Sequence, residues 1–129
     1  MIYLDTHVAL WLRQGWLEGL PRAVRERLDR DADLRISPMA VLEIDLLHEI
    51  GRIREGSAEL VGALSRGLGL KVCDLPFPAV AAAASSLGWT RDPFDRLIVA
   101  QAAVADAPLV TKDRRLREHY RRAVWDDGA

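Results

Sequence analysis

The sequence predicts an α/β fold: one domain spanning residues 1–129, built on a central parallel sheet of about four to five strands with helices on both faces. Short apolar runs alternate with longer segments that have helical periodicity. Strands separated by helices imply right-handed crossovers, which make neighbouring strands parallel. The chain has 129 residues and 50% of them are hydrophobic, which suits one buried core.

The first half of the chain predicts two strands and four helices from local signals. Ile2-Tyr3-Leu4 is expected to be a buried strand, and Thr6 is placed to cap the helix that follows it. Ser37-Pro38 combines an N-cap serine with a proline in the first turn, which starts a further helix. The predicted strands are 2–4 and 34–36, and the predicted helices are about 6–15, 21–31, 39–50 and 57 to 67–69.

The second half predicts two strands, three helices and a possible edge strand. Asp92-Pro93 repeats the helix start signal, and Asp95 stands where the acid of a capping box would. The predicted strands are 72–75 and 109–111, with an edge strand at 124–125, and the predicted helices are 78–87, 92 to about 105, and 113–122.

Composition restricts the class of protein only loosely. The net charge of −1 neither requires nor excludes a nucleic-acid partner. Cys73 is the only cysteine and lies in an apolar-rich run, which favours a core thiol over a nucleophile. Residues 1–5 contain neither a basic segment nor a long apolar stretch, so we expect a cytoplasmic protein without a signal peptide or membrane span.

Acidic residues occupy positions that this topology brings together. Asp5 directly follows the first strand, and Asp113 follows the fourth. The carboxyl ends of parallel strands lie at one edge of the sheet, where ligands bind in such folds. Glu43 lies just over one turn into the helix after the second strand, and Asp92 and Asp95 share a helix face.

Each acid also has an ordinary structural interpretation. Glu43 could form a salt bridge to an arginine, while Asp92, Asp95 and Asp113 could cap helices or turns. The helix of Glu43 has apolar neighbours and is expected to be largely buried, where a lone carboxylate is costly unless it is paired. Two carboxylates at 4 Å repel by about 4 kcal/mol at an effective dielectric near 20, so several together favour a bound cation.

The donor types predict which cation this would be. All-oxygen ligation favours Mg²⁺, with Mn²⁺ as the other candidate. His7, His48 and His119 are scattered, and no Cys/His spacing indicates a soft-metal site. A hard divalent ion held by aspartates suits phosphodiester hydrolysis, since it activates water and neutralises the transferring phosphoryl group.

The sequence resembles the PIN-domain ribonucleases, and specifically the VapC-type toxins of bacterial toxin–antitoxin pairs. The resemblance implies a three-layer α/β/α sandwich. The matching segments, in the family's order, are 2–7, 37–44, 92–102 and 109–113. One departure from the family's pattern is Thr90, because a histidine often stands at this position, directly before the arginine that Arg91 matches.

The resemblance also assigns roles to individual residues. It implies that Asp5, Glu43, Asp95 and Asp113 are the catalytic, metal-binding acids. Asp92 matches an extra acid of the subgroup with an Asp-Pro-Phe-Asp pattern, and it either binds metal or only caps the helix. Thr6 and Thr111 match hydroxyl positions that orient a carboxylate or water.

The implied reaction is attack of water on an RNA phosphodiester, leaving a 5′-phosphate and a 3′-hydroxyl. Basic residues that flank the acids would contact the RNA, although a solvated helix face explains them equally well. They are Arg91, Arg96, Lys112, Arg114 and Arg115.

The expected protein partners are a VapB-type antitoxin and, by analogy, a second copy in a homodimer. An apolar segment is the candidate groove for the antitoxin, although core packing accounts for many of its residues too. It comprises Trp11, Leu12, Trp16, Leu17 and Leu20 together with Leu46, Leu47 and Ile50.

Two other functions fit parts of the pattern. A receiver-like magnesium-binding signalling domain also has a doubly wound sheet and an acidic pocket. However, Thr111 and Lys112 are adjacent here and no acidic pair follows the first strand. A catalytically inactive PIN scaffold is the other alternative, and the complete set of acids argues against it.

Overall fold

The computed structural model describes residues 1–31 and 33–126. The strands are β1 (Ile2–Leu4), β2 (Leu34–Ile36), β3 (Lys71–Val72), β4 (Leu109–Val110) and β5 (Ala123–Val124). The helices are α1 (Thr6–Gln14), α2 (Arg22–Arg30), α3 (Pro38–Glu49), α4 (Ser57–Leu68), α5 (Phe77–Ala84), α6 (Pro93–Val104) and α7 (Arg114–His119). A short 3-10 turn, which the sequence did not predict, covers Leu17–Gly19.

The five strands form one parallel sheet in the order β3-β2-β1-β4-β5. Every residue of β1 is buried, and successive side chains of a strand point to opposite faces, so both faces of the sheet are covered. This confirms the predicted α/β/α sandwich. The strand order reverses between β1 and β4, and such a switch point is where open α/β sheets form their ligand crevice.

Several predicted boundaries are wrong at the periphery. The strand predicted at 72–75 is Lys71–Val72, with both residues exposed at the sheet edge. The helix predicted to reach residue 87 ends at Ala84, where the hydroxyl groups of Ser85 and Ser86 donate to backbone carbonyls of the last turn. Such local bonds compete with continued helix.

The last helix is also shorter than predicted. It ends at His119 rather than at residue 122, and Tyr120 is extended with φ −115° and ψ 108°. The hydroxyl of Tyr120 donates to the carbonyl of Ala107. This contact holds the chain against the segment before β4 as it enters β5, which begins one residue earlier than predicted.

Helix α3 is much less buried than its composition suggested. Only Ala40 and Ile44 are buried, while Leu42, Leu46 and Ile50 are 46%, 39% and 67% exposed. Their four-residue spacing places them on one stripe of the helix. Apolar residues occur on every face of this helix, so their periodicity does not indicate which face packs against the core.

Helix α4 receives its N-terminal cap from α3. The N-cap position is Gly56, which has no side chain to offer. Instead, the Asp45 carboxylate accepts hydrogen bonds from the backbone N–H of Ser57 at 2.7 Å and from its hydroxyl at 2.8 Å. These bonds hold the pKa of Asp45 below its ordinary value and tie the two helices together.

Candidate active site

Asp5 lies at the carboxyl end of β1 and is only 9% exposed. Its Oδ1 accepts from the backbone N–H of Thr6 at 2.8 Å, and its Oδ2 accepts from the hydroxyl of Thr111 at 2.6 Å. Asp5 therefore caps α1, and the prediction that Thr6 would do so is wrong because the helix already begins at Thr6. Burial raises the pKa of Asp5, while these two hydrogen bonds lower it in part.

Thr6 instead connects α1 to α3. Its side chain is fully buried, and the hydroxyl donates to Oε1 of Glu43 at 2.5 Å. Burial, with smaller contributions from the charges of Asp5 and Asp92, raises the pKa of Glu43. Glu43 forms no ion pair with any residue that the structure describes, so the salt-bridge interpretation is wrong there.

Asp92 and Asp113 are helix caps, as one interpretation of the sequence had it. Oδ1 of Asp92 accepts from the N–H groups of Phe94 and Asp95, at 2.8 and 3.3 Å. Oδ1 of Asp113 accepts from the N–H groups that open α7, at 2.8 and 3.1 Å. Both residues are exposed. Capping engages one oxygen of each carboxylate, so it does not exclude a second role.

Asp95 differs from the other four acids because its carboxylate accepts no hydrogen bond from the described residues. Its side chain makes no hydrogen bond or ion pair within residues 1–31 and 33–126. The backbone N–H of Asp92 donates to the Thr90 hydroxyl at 3.2 Å, so Asp95 does not complete a capping box. Because the half-buried carboxylate of Asp95 caps no helix, we expect it to have another role.

Electrostatics show that the five acids share one region. Burial is the largest cause that raises the pKa of Asp95 from 3.8 to about 7. Four other carboxylates raise it further, in the order Asp92, Asp113, Asp5 and Glu43. The five acids therefore lie near enough to interact electrostatically; their role as metal ligands stays a prediction.

The donor chemistry of this cluster fits a hard divalent cation, but the side chains do not form a closed shell. No three His, Cys, Asp or Glu side chains of the described chain are close enough together to hold a metal ion as they stand. All the donors are oxygens, which suits Mg²⁺ or Mn²⁺. A cation would also relieve the mutual repulsion that raises the pKa of Asp95.

The hydroxyl of Thr111 links two of the acids. It donates to Asp5, and it also accepts from the backbone N–H of Asp113 at 3.1 Å. Thr111 is fully buried just after β4. It therefore fixes the end of one strand relative to the end of its neighbour, as expected for a hydroxyl that orients a carboxylate.

The basic residues named from the sequence are used in different ways. Arg96 donates to the carbonyl of Thr90 at 2.6 Å, and Arg115 donates to the carbonyl of Trp89 at 2.5 Å. Arg114 pairs with Glu118 on an exposed face, which fits the solvated-face interpretation. Two further basic residues, Arg91 and Lys112, are exposed.

One buried link between helices was not predicted. The Ser37 hydroxyl donates to the side-chain carbonyl of Gln101 at 3.1 Å, and both residues are buried. The bond joins the start of α3, which carries Glu43, to α6, which carries Asp95. The available signal was that Gln101 is the only polar residue in the apolar run 97–104.

A groove of about 730 Å³ lies among α1, the 3-10 turn, α2 and α4. Its lining includes Leu12, Leu17 and Leu20, which the sequence had assigned to a partner groove. The α3 residues of that prediction do not line it; Leu46 and Ile50 are instead exposed on the separate α3 stripe. No helix of the described residues is long and apolar enough to cross a membrane.

Comparisons with known proteins agree on one family. The PIN domain family model matches residues 2–122. Ribonuclease VapC22 of Mycobacterium tuberculosis is 32% identical over 120 residues, covering 92% of this chain and 91% of that protein.

Solved structures share the fold at lower identity. VapBC2 from Rickettsia felis, bound to a DNA fragment from their promoter, matches with a TM-score of 0.66 at 21% identity, over 98% of this chain and 100% of that one. VapBC-1 from nontypeable Haemophilus influenzae matches with a TM-score of 0.67 at 17% identity, over 98% of each chain.

Proposed function

The chain belongs to the PIN-domain family, and we propose that it is a VapC-type ribonuclease that hydrolyses RNA phosphodiester bonds with Mg²⁺ or Mn²⁺. The observation that carries the proposal is Asp95: a half-buried carboxylate whose pKa is raised by burial and by the charges of four other acids, with no ion pair to any cation of the described chain. Ordinary capping or ion pairing does not account for that arrangement. The relative of 32% identity is a ribonuclease by name.

In this proposal Asp5, Glu43, Asp95 and Asp113 hold the ion, and Asp92 caps α6 while adding negative charge. The ion, when bound, supplies an activated water and neutralises charge on the phosphoryl group. Glu43 or Asp113 accepts the proton of the attacking water.

Two threonines keep carboxylate oxygens of the site in fixed positions. Thr111 holds Oδ2 of Asp5, and Thr6 holds Oε1 of Glu43. Both hydroxyls are fully buried, so water cannot easily replace either bond. These residues orient carboxylates without contacting the substrate.

RNA reaches an acidic pocket only if positive charge lies near it. Arg91, Lys112 and Arg114 are exposed near the start of α6 or α7, where phosphate groups could approach. Arg96 and Arg115 donate hydrogen bonds to backbone carbonyls before α6, so they mainly hold the conformation of this loop and contribute less to RNA binding. The expected product ends are a 5′-phosphate and a 3′-hydroxyl.

We further propose that a VapB-type antitoxin binds this protein and that the toxin itself is a homodimer. The similar solved structures from Rickettsia felis and Haemophilus influenzae are of VapBC proteins. The leucine-lined groove beside α1, α2 and α4 is large enough for apolar side chains of a partner segment. The exposed stripe on α3 is apolar surface of the kind that interfaces cover.

Membership of the PIN-domain family removes the receiver alternative, so an inactive scaffold is the remaining competitor. The test is cleavage of RNA by purified protein in Mg²⁺, in Mn²⁺ and in EDTA. Asp95→Asn removes charge without removing a described hydrogen bond, so this variant should fold and lose metal-dependent cleavage. Asp74→Asn, at an exposed position outside the cluster, is the matched control.

RNA-end sequencing after brief expression identifies the products. Wild type should leave new 5′-phosphate ends that are absent with Asp95→Asn and with Asp5→Asn. Full cleavage by Asp95→Asn, or cleavage in EDTA equal to that in Mg²⁺, would contradict the proposed site. A wild-type protein that folds, binds RNA and never cuts it would support the scaffold.

A further inference from the structure

A stacked pair of rings lies between the end of α7 and the loop before α6. The rings of Trp89 and His119 are 4.7 Å apart between centroids and 5° from parallel. The guanidinium of Arg115 lies 6.0 Å from the Trp89 ring centroid. Arg115 and His119 are four residues apart on α7, so both lie on the face that Trp89 packs against.

The imidazole of this stack is accessible to solvent. Trp89 is half-buried and His119 is exposed, although Trp89 stacks against the imidazole ring. The indole Nε1 of Trp89 is buried without a hydrogen-bond partner among the described residues. Ring stacking and the bond from Arg115 to the Trp89 carbonyl, rather than a bond to the indole, fix this side chain.

The stack is close to the acid cluster along the same helix. Asp113 caps the first turn of α7, and His119 is its last residue. Six residues of helix span about 9 Å along the axis, a distance on the order of one to three nucleotide steps. The exposed side chains of Arg114 and Arg115 lie between the two ends.

We propose that the outer face of His119, backed by Trp89, is a stacking position for one unpaired base of a single-stranded RNA whose phosphate lies at the acid cluster. Flat rings accept any base, because every base has a π-face. A flat ring face favours a nucleic-acid base over an acidic peptide, because the peptide offers carboxylates rather than a π-face. The proposal rests on the proposed ribonuclease function and adds to it a contact with a nucleotide that flanks the cut.

Binding can be measured without cleavage. The protein carries Asp95→Asn, the buffer contains EDTA, and the probe is a short fluorescein-labelled oligouridylate followed by anisotropy. His119→Ala should weaken binding by about 5- to 150-fold, the range for loss of one stacked base. His119→Phe keeps a planar ring and should stay within about threefold of the parent. His48→Ala, at another exposed histidine, should bind like the parent.

Two further readouts separate stacking from charge. The dependence of Kd on salt should not change in His119→Ala, because stacking releases no counterions. An oligomer with abasic sites should bind equally to the parent and to His119→Ala. A His119→Ala variant that binds like His48→Ala would overturn the proposal. So would a His119→Phe variant as weak as His119→Ala with a reduced salt dependence, which would indicate an ionic contact.

The outcomes of this experiment distinguish a failure of the stacking proposal from a failure of the ribonuclease proposal. If wild type fails to cut RNA in Mg²⁺ while His119→Ala still lowers affinity for the normal oligomer but not the abasic one, the ribonuclease proposal fails and the stacking contact stands. If wild type cuts RNA and His119→Ala changes neither binding nor cleavage, the stacking proposal fails alone.

Discussion

Replacing Asp95 by asparagine should stabilise the metal-free protein at alkaline pH. The pKa of Asp95 is raised to about 7 in the fold from 3.8, so the folded state binds more protons than the unfolded state between these values. Stability contributed by this group is therefore complete below about pH 4 and is lost as pH rises through about 7. Asparagine cannot ionise and escapes that loss.

The magnitude follows from the same shift. A change from 3.8 to about 7 corresponds to about 4 kcal/mol for a group fully shielded from water. Asp95 is only half-buried, and solvent screening reduces the expected effect to about 1–2 kcal/mol. For a domain of this size, that is a rise in Tm of roughly 3–10 °C.

Thermal unfolding followed by circular dichroism in EDTA, at pH 5 and at pH 8, measures the effect. Asp95→Asn should exceed wild type in Tm at pH 8 and match it more closely at pH 5. Asp5 and Glu43, whose pKa values are also raised, should leave some pH dependence in the variant. Added Mg²⁺ should stabilise wild type at pH 8 more than the variant, because it binds the folded acids.

Two results would refute this reasoning. One is an equal loss of stability in wild type and Asp95→Asn between pH 5 and pH 8. The other is a gain at pH 8 in the control Asp74→Asn that equals the gain in Asp95→Asn. Either result would mean that burial and the neighbouring acids do not specifically raise the pKa of Asp95 in the fold.

The remaining predictions concern hydroxyls, caps and glycines. Thr111→Val removes the donor to the buried Asp5 and should cost about 1–3 kcal/mol in urea denaturation, with reduced RNA cleavage; unchanged cleavage would deny it an orienting role. Asp45→Ala removes the α4 cap and should lower stability at neutral pH without affecting cleavage. Because the pKa of Asp45 is lowered in the fold, that cost should fade as pH falls below about 4; a constant cost would contradict it. Gly69→Ala, at φ 71°, should destabilise by about 1 kcal/mol, whereas Gly67→Ala, inside α4 with open space around it, should stabilise by about 0.5–1 kcal/mol.

Local signals in the sequence predicted where helices begin more accurately than where they end. Ser37-Pro38 and Asp92-Pro93 start α3 and α6 where predicted, because capping depends on residues adjacent in the chain. The ends of α5 and α7 depend on contacts that compete with the helix, such as the bond from Tyr120 to the carbonyl of Ala107. The tyrosine bond joins residues that are 13 apart in the chain, whereas the serine bonds at the end of α5 are local.

The role of each acid was less predictable than its position. The topological rule placed Asp5 and Asp113 at the same sheet edge, but the chain alone could not separate capping from metal binding. The structure assigns caps to Asp92 and Asp113 and leaves Asp95 without a partner among the described residues. That distinction depends on which N–H groups and cations lie within a few ångströms.

The sequence by itself determined the family, the strand–helix alternation and the identity of the acids at the sheet edge, because apolar periodicity and helix start signals act between residues near one another in the chain. Tertiary structure alone decided the shape of the site: the bonds from Thr6 to Glu43 and from Ser37 to Gln101, and the stack of Trp89 on His119. These pairs are brought into contact by the packing of different elements, and a single sequence carries no record of which distant residues will meet.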